Sequence, residues 1–302
     1  MTGRQVAVTG ATGFIGSALV PALRGAGHTV RTIGRGAAND FRWDPAAGTI
    51  DAAALDGVDA VVNLAGSNIA VRWTEAAKRE IVESRTRSTE LVARTLATAR
   101  RGAAGSPVLV SGSAVGFYGD RGDEHLDDAS PLGRGFLADA VRQWEASAEP
   151  ARSAGIRTVH PRVGIVLNPR GGALKKLLLP FRLGLGGRAG PGRQWMSWVA
   201  LDDVVRAFRF AIEQDSLHGP LNLVAPGPVT NRNFAVTLGS VLGRPAVVPV
   251  PAFVLHALFG AMADETLLAS QRASPRRLLE EGFRFAHTDL GEALRFELGR
   301  GA

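Results

Sequence analysis

The sequence has no cysteine at all. That excludes disulfides, a thiolate nucleophile and any cysteine-ligated metal. Lysine is nearly as scarce: Lys78, Lys175 and Lys176 are the only ones, so the formal charge of +7 comes from arginines scattered along an Ala/Gly/Val-rich chain. Without a basic block or interleaved aromatics, no nucleic-acid partner is expected. The six histidines, His28, His125, His160, His218, His256 and His287, lie far apart with no ligand spacing, so no metal is expected either. Long apolar runs are missing too. The most apolar late stretch, PAFVLHALFGAMA, is short and interrupted, and no charged-then-apolar leader opens the chain. A cytoplasmic protein with no membrane partner, monomer or homodimer, is the expectation. Tyrosine occurs once, at Tyr118.

What is present is enough for a substantial core: 302 residues, 45% hydrophobic and 21% charged, between one large domain and two modest ones. The first half alternates β-rich runs with amphipathic helical runs. QVAVT is followed by a helix to about Gly25, then HTVRTI, DAVVNL, a helix from Thr74 to Arg101, PVLVSGS, a helix from about Leu137 to Ser153, and RTVHPRVGIVL. This succession predicts an α/β fold with a doubly wound parallel sheet of Rossmann type. Residues 102–107 read as a surface loop. Beyond the Gly-rich GLGGRAGPGRQ, DDVVRAFRFAIEQ starts a helix with Asp202 or Asp203 as its cap. After Pro226 come shorter helices and proline-punctuated strands such as AVVPVP. The division expected is 1–225 for a nucleotide-binding domain and 226–302 for a smaller α+β C-terminal lobe.

The strongest local signal is VTGATGFIG. Gly10, Gly13 and Gly16 are spaced so that the chain leaves a buried strand, turns tightly and enters a helix. The first glycine permits the turn, the second lets backbone amides approach a pyrophosphate, and the third lets helix and strand pack closely. Pro21 falls inside that helix and removes one backbone bond, at a cost of order ~3 kcal/mol unless the turn is already irregular. At the end of the second strand an acid would accept from a ribose 2′-hydroxyl, whereas an arginine would pair with a 2′-phosphate. The strand ends IGRG, so Arg35 points to NADP(H), the alternative being a chance surface arginine.

The opening TGATGFIG, NLAG at 63–66 and SGSAVGFYG at 111–119 resemble an extended short-chain dehydrogenase/reductase of the nucleotide-sugar epimerase type. Arg72-Trp73, Ser84-Arg85, FLADAVRQWE, GRQWMSWVALDD, APGPVTNRNFA and SPRRLLEEGFRF narrow the resemblance to its atypical branch, the NAD-dependent epimerase-family proteins with a C-terminal domain of unknown function. The resemblance runs from about residue 5 to 296. It implies an NADP-type cofactor and two lobes, and names no substrate. It places Gly10, Thr12, Gly13, Phe14, Ile15 and Gly16 along the pyrophosphate, Gly34 and Arg35 at the 2′-phosphate, and Leu64 and Ala65 on the adenosine side. Glu80 and Arg85 match positions facing the cofactor ribose and phosphates, the alternative being a solvated helix face. Val166 follows the strand nearest the nicotinamide.

The same resemblance exposes a gap. Relatives with a Tyr-x-x-x-Lys pair use the phenol as acid or base while the lysine lowers its pKa. In GRGFLADAVRQWE those places hold Phe136 or Leu137 and Ala140 or Val141, none of which moves a proton. Ser113 falls near the position of the substrate-polarising serine. Tyr118 has Gly122 at its fourth position, so it does not rebuild the pair, and it reads either as an acid/base or as a packed, hydrogen-bonded tyrosine. Arg72, Trp73, Gln194, Trp195 and Trp198 furnish a cleft for a small-molecule substrate, or cement the two lobes. Where family members carry a histidine in W-x-H-x-D-D, Ala200 stands here. Two functions follow: an NADP(H)-dependent epimerase-like oxidoreductase in which Ser113, Tyr118 or water handles the proton, or an NADP(H)-sensing binding protein without turnover.

Overall fold

The computed structural model describes residues 3–99 and 107–300. Strands β1 (Gln5–Thr9), β2 (Thr29–Gly34), β3 (Phe41–Asp44), β4 (Thr49–Ile50), β5 (Ala60–Asn63), β6 (Val108–Ser111) and β7 (Ser113–Ala114) alternate with helices α1 (Gly16–Gly25) and α2 (Glu75–Ala99). Then come β8 (His125–Leu126), α3 (Phe136–Ala146), α4 (Glu149–Ser153), β9 (Arg157–Val163), β10 (Ile165–Leu167), α5 (Gly172–Arg182), β11 (Trp195–Met196), β12 (Trp198–Ala200), α6 (Leu201–Glu213) and β13 (Gly219–Leu223). The last part holds β14 (Val229–Thr230), α7 (Asn231–Leu242), α8 (Ala252–Phe259), β15 (Arg272–Ala273), α9 (Arg276–Glu280) and α10 (Leu290–Glu297).

The main sheet runs β13-β9-β6-β5-β1-β2-β3-β4, with β7 beside β9. Every pairing in it is parallel except β3 with β4. Alternation along the strands sends Val6, Val8, Val62, Val110 and Val159 to one face under α1 and α6, and Ala7, Val61 and Leu109 to the other under α2 and α4. The chain order reverses between β1 and β5, and the crevice where their carboxyl ends diverge is where such sheets bind ligands. This is the Rossmann-type doubly wound sheet that the sequence predicts.

A third core packs Leu167, Leu174, Leu178, Phe181 and Trp198 against Phe234, Leu238, Leu242, Leu290 and Leu294. It draws on residues from both sides of position 225. The two lobes are further joined by carboxylates: Glu297 of α10 accepts from the Leu201 amide at the start of α6 at 2.8 Å, and the fully buried Asp203 accepts from the amides of Ala286 and His287 at 2.8 and 3.0 Å.

Several boundaries differ from the sequence expectation. The helix from Leu137 to Ser153 is two helices, broken at Ser147–Ala148, with Pro150 in the first turn of α4, where its missing N–H costs nothing. RTVHPRVGIVL divides at Gly164, where a Cβ would lie 2.3 Å from the Ser197 carbonyl; beyond it the strand leaves the sheet to pair with β12. Neither Asp202 nor Asp203 caps α6. The position belongs to Ala200, and Asp203 turns inward to the 286–287 segment. AVVPVP forms only an isolated bridge, Ala189 to Val250, because its prolines supply no ladder donors. The short β3–β4 ribbon has no counterpart in the sequence reading. The end of the expected second helix at Arg101, and residues 102–106 of the expected loop, lie outside the described residues.

Candidate functional site

The glycine loop is shaped by close backbone contacts. Gly10 has φ +65, and a Cβ there would meet the Leu64 carbonyl carbon at 2.8 Å. Gly16 leaves no room either, since a Cβ would stand 2.2 Å from the Gly10 carbonyl oxygen. Only glycine allows the turn and the crossing of β1's end over β5's end. Gly13 donates its amide to the Gly10 carbonyl at 2.9 Å and is exposed, as is Thr12. α1 then begins at Ile15–Gly16 with no side-chain cap and no acid in its first turn, so its positive amide end is left to an outside anion. A cleft of about 340 Å³ opens beside this loop, lined by Thr12, Gly13, Phe14, Ser17, Asn168 and Arg170 among others. The Phe14 ring lies where a Cβ on Gly171 would be, at 2.4 Å, which ties the loop to the segment after β10. The cradle thus fits a dinucleotide pyrophosphate: a side-chain-free floor, an open amide end and an arginine at the rim.

Gly34 ends β2 beneath Asn39, and Arg35 follows it exposed, its carbonyl accepting from Arg42 Nη1 at 2.6 Å. Among the described residues the Arg35 guanidinium has no acid partner. Leu64 and Ala65 lie at the crevice, with the Leu64 amide donating to the Thr9 backbone carbonyl at 3.3 Å and to its hydroxyl at 3.2 Å. Beneath them runs a chain of buried polar groups that no motif announced: Thr9 Oγ1 donates to Asn63 Oδ1 at 2.6 Å, Asn63 Nδ2 to Thr89 Oγ1 at 2.8 Å, and Trp144 Nε1 to the same Thr89 at 3.1 Å. Glu80 is exposed on α2. Arg85 is turned inward, donating to the carbonyls of Ile81 and Ser67, both at 3.0 Å, with its guanidinium 5.2 Å from the Trp144 ring centre. Burial pulls Arg85 down to about 10, and among the described residues no carboxylate pairs with it. Val166 is half-buried on β10 opposite Val199.

At the carboxyl ends of β6, β7 and β9 the chain assembles a buried ionic network. Ser113 Oγ donates to Glu145 Oε1 at 2.6 Å, and Arg162 grips the same carboxylate through Nε at 2.8 Å and Nη2 at 2.9 Å. Burial alone would raise the Glu145 carboxyl, but the hydrogen bonds and charge of Arg162, with the Ser113 hydroxyl, outweigh it and hold the group below the usual carboxylate value. Arg162 also donates to the Tyr118 hydroxyl at 3.0 Å and lies 3.4 Å from the centre of the Phe117 ring. The Tyr118 hydroxyl donates toward Asn222 Oδ1 at 2.6 Å and the Asp127 carbonyl at 2.8 Å. Its ring has no exposed surface, and burial pushes the phenol up to about 12 despite Arg162. The structure therefore gives Tyr118 the packed, hydrogen-bonded environment rather than an open one. Arg162 and Asn222 carry no motif, Glu145 closes FLADAVRQWE without an assigned role, and only folding brings the three to this edge.

The residues expected to furnish a cleft separate into groups. Trp73 is buried, donates its indole N–H to the Ile69 carbonyl at 2.9 Å and meets Phe136 edge-on at 4.9 Å, beside Met262 and Phe259 from the C-terminal lobe; Arg72 is exposed next to it. Gln194 bridges the Ala189 and Leu267 carbonyls, both at 3.0 Å, and leaves its buried Oε1 without a partner. Trp195 bonds Asp123 at 2.8 Å and carries Arg272 at 4.2 Å over its ring. Trp198 is fully buried in the third core, donating to the Gly227 carbonyl, and takes the second of its two expected places, as cement between the lobes and not as a cleft wall. A residue the sequence did not single out, Glu265, reaches from the turn after α8 to the start of α3. Its carboxylate accepts from the amides of Phe136 at 3.0 Å and Leu137 at 2.7 Å, over Gly135, where φ is +110. A lobe distant in sequence thereby caps the helix on which the Tyr-x-x-x-Lys pair is missing.

With this geometry the comparisons agree. Residues 6–223 match the NAD dependent epimerase/dehydratase family and residues 250–297 match a domain of unknown function, DUF1731. The chain belongs to the NAD dependent epimerase/dehydratase family, in its branch with that C-terminal domain. It is 45% identical to the epimerase family protein Mb2239 of Mycobacterium bovis over 99% of both chains. Among solved structures it resembles the human epimerase family protein SDR39U1 with NADPH, at 37% identity and TM-score 0.89, covering 98% of this chain and 99% of that one. The nucleoside-diphosphate sugar epimerase of Corynebacterium glutamicum matches at 36% identity and TM-score 0.81 over 99% of this chain and 59% of that one. No helix among the described residues is long and apolar enough to cross a membrane.

Proposed function

We propose that the protein is an NADP(H)-dependent oxidoreductase of the epimerase family. The observation that carries this reading is the pairing of a side-chain-free glycine cradle with an exposed, acid-free guanidinium, Arg35, just past β2. Backbone amides at Thr12 and at Phe14 to Gly16 hold the pyrophosphate, Arg35 pairs with the 2′-phosphate, Leu64 and Ala65 flank the adenosine, and Arg85 supplies a half-buried positive charge without its own counter-ion. When bound, the nicotinamide supplies hydride transfer. The protein's part is to orient it and to move a proton. Ser113 is the hydroxyl suited to that, because Glu145 accepts its hydrogen bond and is held ionised by Arg162. The NADPH in the human relative supports the same cofactor.

A second reading, an NADP(H)-sensing protein without turnover, rests on one observation: Phe136 or Leu137 and Ala140 or Val141 stand where a phenol and an amine are expected, and Glu265 of the C-terminal lobe occupies the start of that helix. Titration calorimetry should show NADPH preferred to NADH, with Arg35→Ala abolishing most of the preference; equal affinities in the wild type would discard the arginine argument. A screen of carbonyl compounds and nucleotide sugars, following absorbance of the reduced cofactor, separates the readings. Bound cofactor that no substrate oxidises favours the sensor.

A further inference from the structure

Two long stretches of the chain, residues 150–201 and 216–263, contain no aspartate or glutamate. The fold lays parts of them side by side. The segment after α5 runs along the segment before α8, the Val248 amide donating to the Gly186 carbonyl at 3.0 Å and the Val250 amide to the Arg188 carbonyl at 2.9 Å. The outer surface of this junction is apolar: Leu179, Leu183, Leu185, Val247, Phe253 and Leu258 are 66, 65, 58, 76, 73 and 60% exposed. α8, with the sequence AFVLHALF, fully buries only Leu255. Such a concentration of exposed large apolar groups marks a contact surface.

The charges flanking its α5 side are of one sign. Lys175, Arg182, Arg188 and Arg244 are exposed around the ridge, and among the described residues none of them forms an ion pair. Some exposed arginines elsewhere are neutralised locally, as Arg87 is by Glu83, Arg94 by Glu90 and Arg276 by Glu280, while others such as Arg35 and Arg79 are not. The acid near α8, Asp264, is itself paired with His256 at 3.3 Å.

We propose that this face docks the protein on an anionic lipid bilayer, as a peripheral association that does not span it. An apolar ridge flanked on its α5 side by unpaired cations matches an interface where acyl chains lie beneath acidic headgroups. A second copy is disfavoured, because a two-fold contact would press uncompensated cations against each other. A nucleic acid would engage the cations and leave the leucines and Phe253 in water. The inner side of α8, at Phe259, packs with Met262 just beyond it on Trp73 and Phe136, so docking would occur on the far side of that cluster. This runs against the sequence-based expectation of no membrane partner and stands independently of the cofactor reading.

The test is co-sedimentation of the full chain with vesicles of phosphatidylcholine alone or mixed with phosphatidylglycerol, at low and high salt. Binding should be at least about tenfold tighter to the anionic vesicles and weaken with salt, each cation near the surface being worth roughly fivefold. Phe253→Ser with Leu258→Ser, and separately Lys175→Glu with Arg182→Glu, should each lower binding at least about tenfold while far-ultraviolet circular dichroism is unchanged. Because the charge variant touches no apolar packing, it remains informative should the serine variant fold poorly. The proposal is overturned by equal affinity for both vesicle types, by no sedimentation, or by variants that bind as wild type. A micromolar dimer in analytical ultracentrifugation that Phe253→Ser abolishes would overturn it in favour of a second copy, and tighter binding to a short RNA duplex in favour of nucleic acid.

Discussion

Removing Glu145 tests the buried network most directly. In Glu145→Ala the Arg162 guanidinium, whose side chain is 4% exposed, loses both arms of a bidentate pair, and the Ser113 hydroxyl loses its acceptor. Arg162 cannot shed its proton to escape, so an unpaired charge stays in a site that water barely reaches. Breaking a buried pair in this way costs about 3–5 kcal/mol. Urea unfolding followed by tryptophan fluorescence would read the loss as a lowered midpoint, with Trp144 one turn-step away as a reporter. Replacing both partners, Glu145→Met with Arg162→Met, should recover most of the loss, because no stranded charge remains. The pH dependence has a definite sign. The folded Glu145 carboxyl lies below its unfolded value of about 4.3, so its contribution is full above that pH and is lost as pH falls through the folded value. A single variant within about 1 kcal/mol of wild type, or a double variant as weak as the single, would refute the account of this network.

Because Tyr118 is the sole tyrosine, ultraviolet difference absorbance should show no tyrosinate until pH nears about 12, and the stability it contributes below about 10 should fade between those values. Ionisation near pH 10 in the folded protein would contradict its burial. Gly10→Ala should destabilise the protein and abolish nucleotide binding, since φ +65 and a 2.8 Å approach to Leu64 leave no place for a methyl; retained NADPH affinity in calorimetry would count against the cradle. Glu265→Ala should cost about 1–2 kcal/mol by uncapping α3, whereas Glu265→Gln, which still offers one acceptor, should cost less. Equal melting points for the two variants would dismiss the cap.

The sequence was most legible where local chemistry dictates the backbone. VAVTGATGFIG announces strand, tight turn and helix because Gly10 and Gly16 have no alternative there, and alternation in Val6-Ala7-Val8 tells that both faces of β1 are covered. It was least legible where a residue's meaning depends on a distant partner. Glu145 and Arg162 are seventeen residues apart in sequence and become a pair only when α3 packs over β9. Glu265 lies in an unremarkable run, and its role exists only because the C-terminal lobe folds back over α3. Trp198 could be read as a cleft wall or as cement between the lobes, since an exposed and a buried tryptophan read alike in one dimension. Gly164 hid a strand break, because the obstructing carbonyl belongs to Ser197.

The bond from Glu297 to the Leu201 amide has a consequence for biosynthesis. The carboxylate that completes the start of α6 emerges from the ribosome almost a hundred residues after the amide it serves. Until then that amide has only water as its acceptor and the ends of two separated segments wait unjoined. The second half of the molecule should therefore lock into place late, in one step, once translation of the final helix has finished.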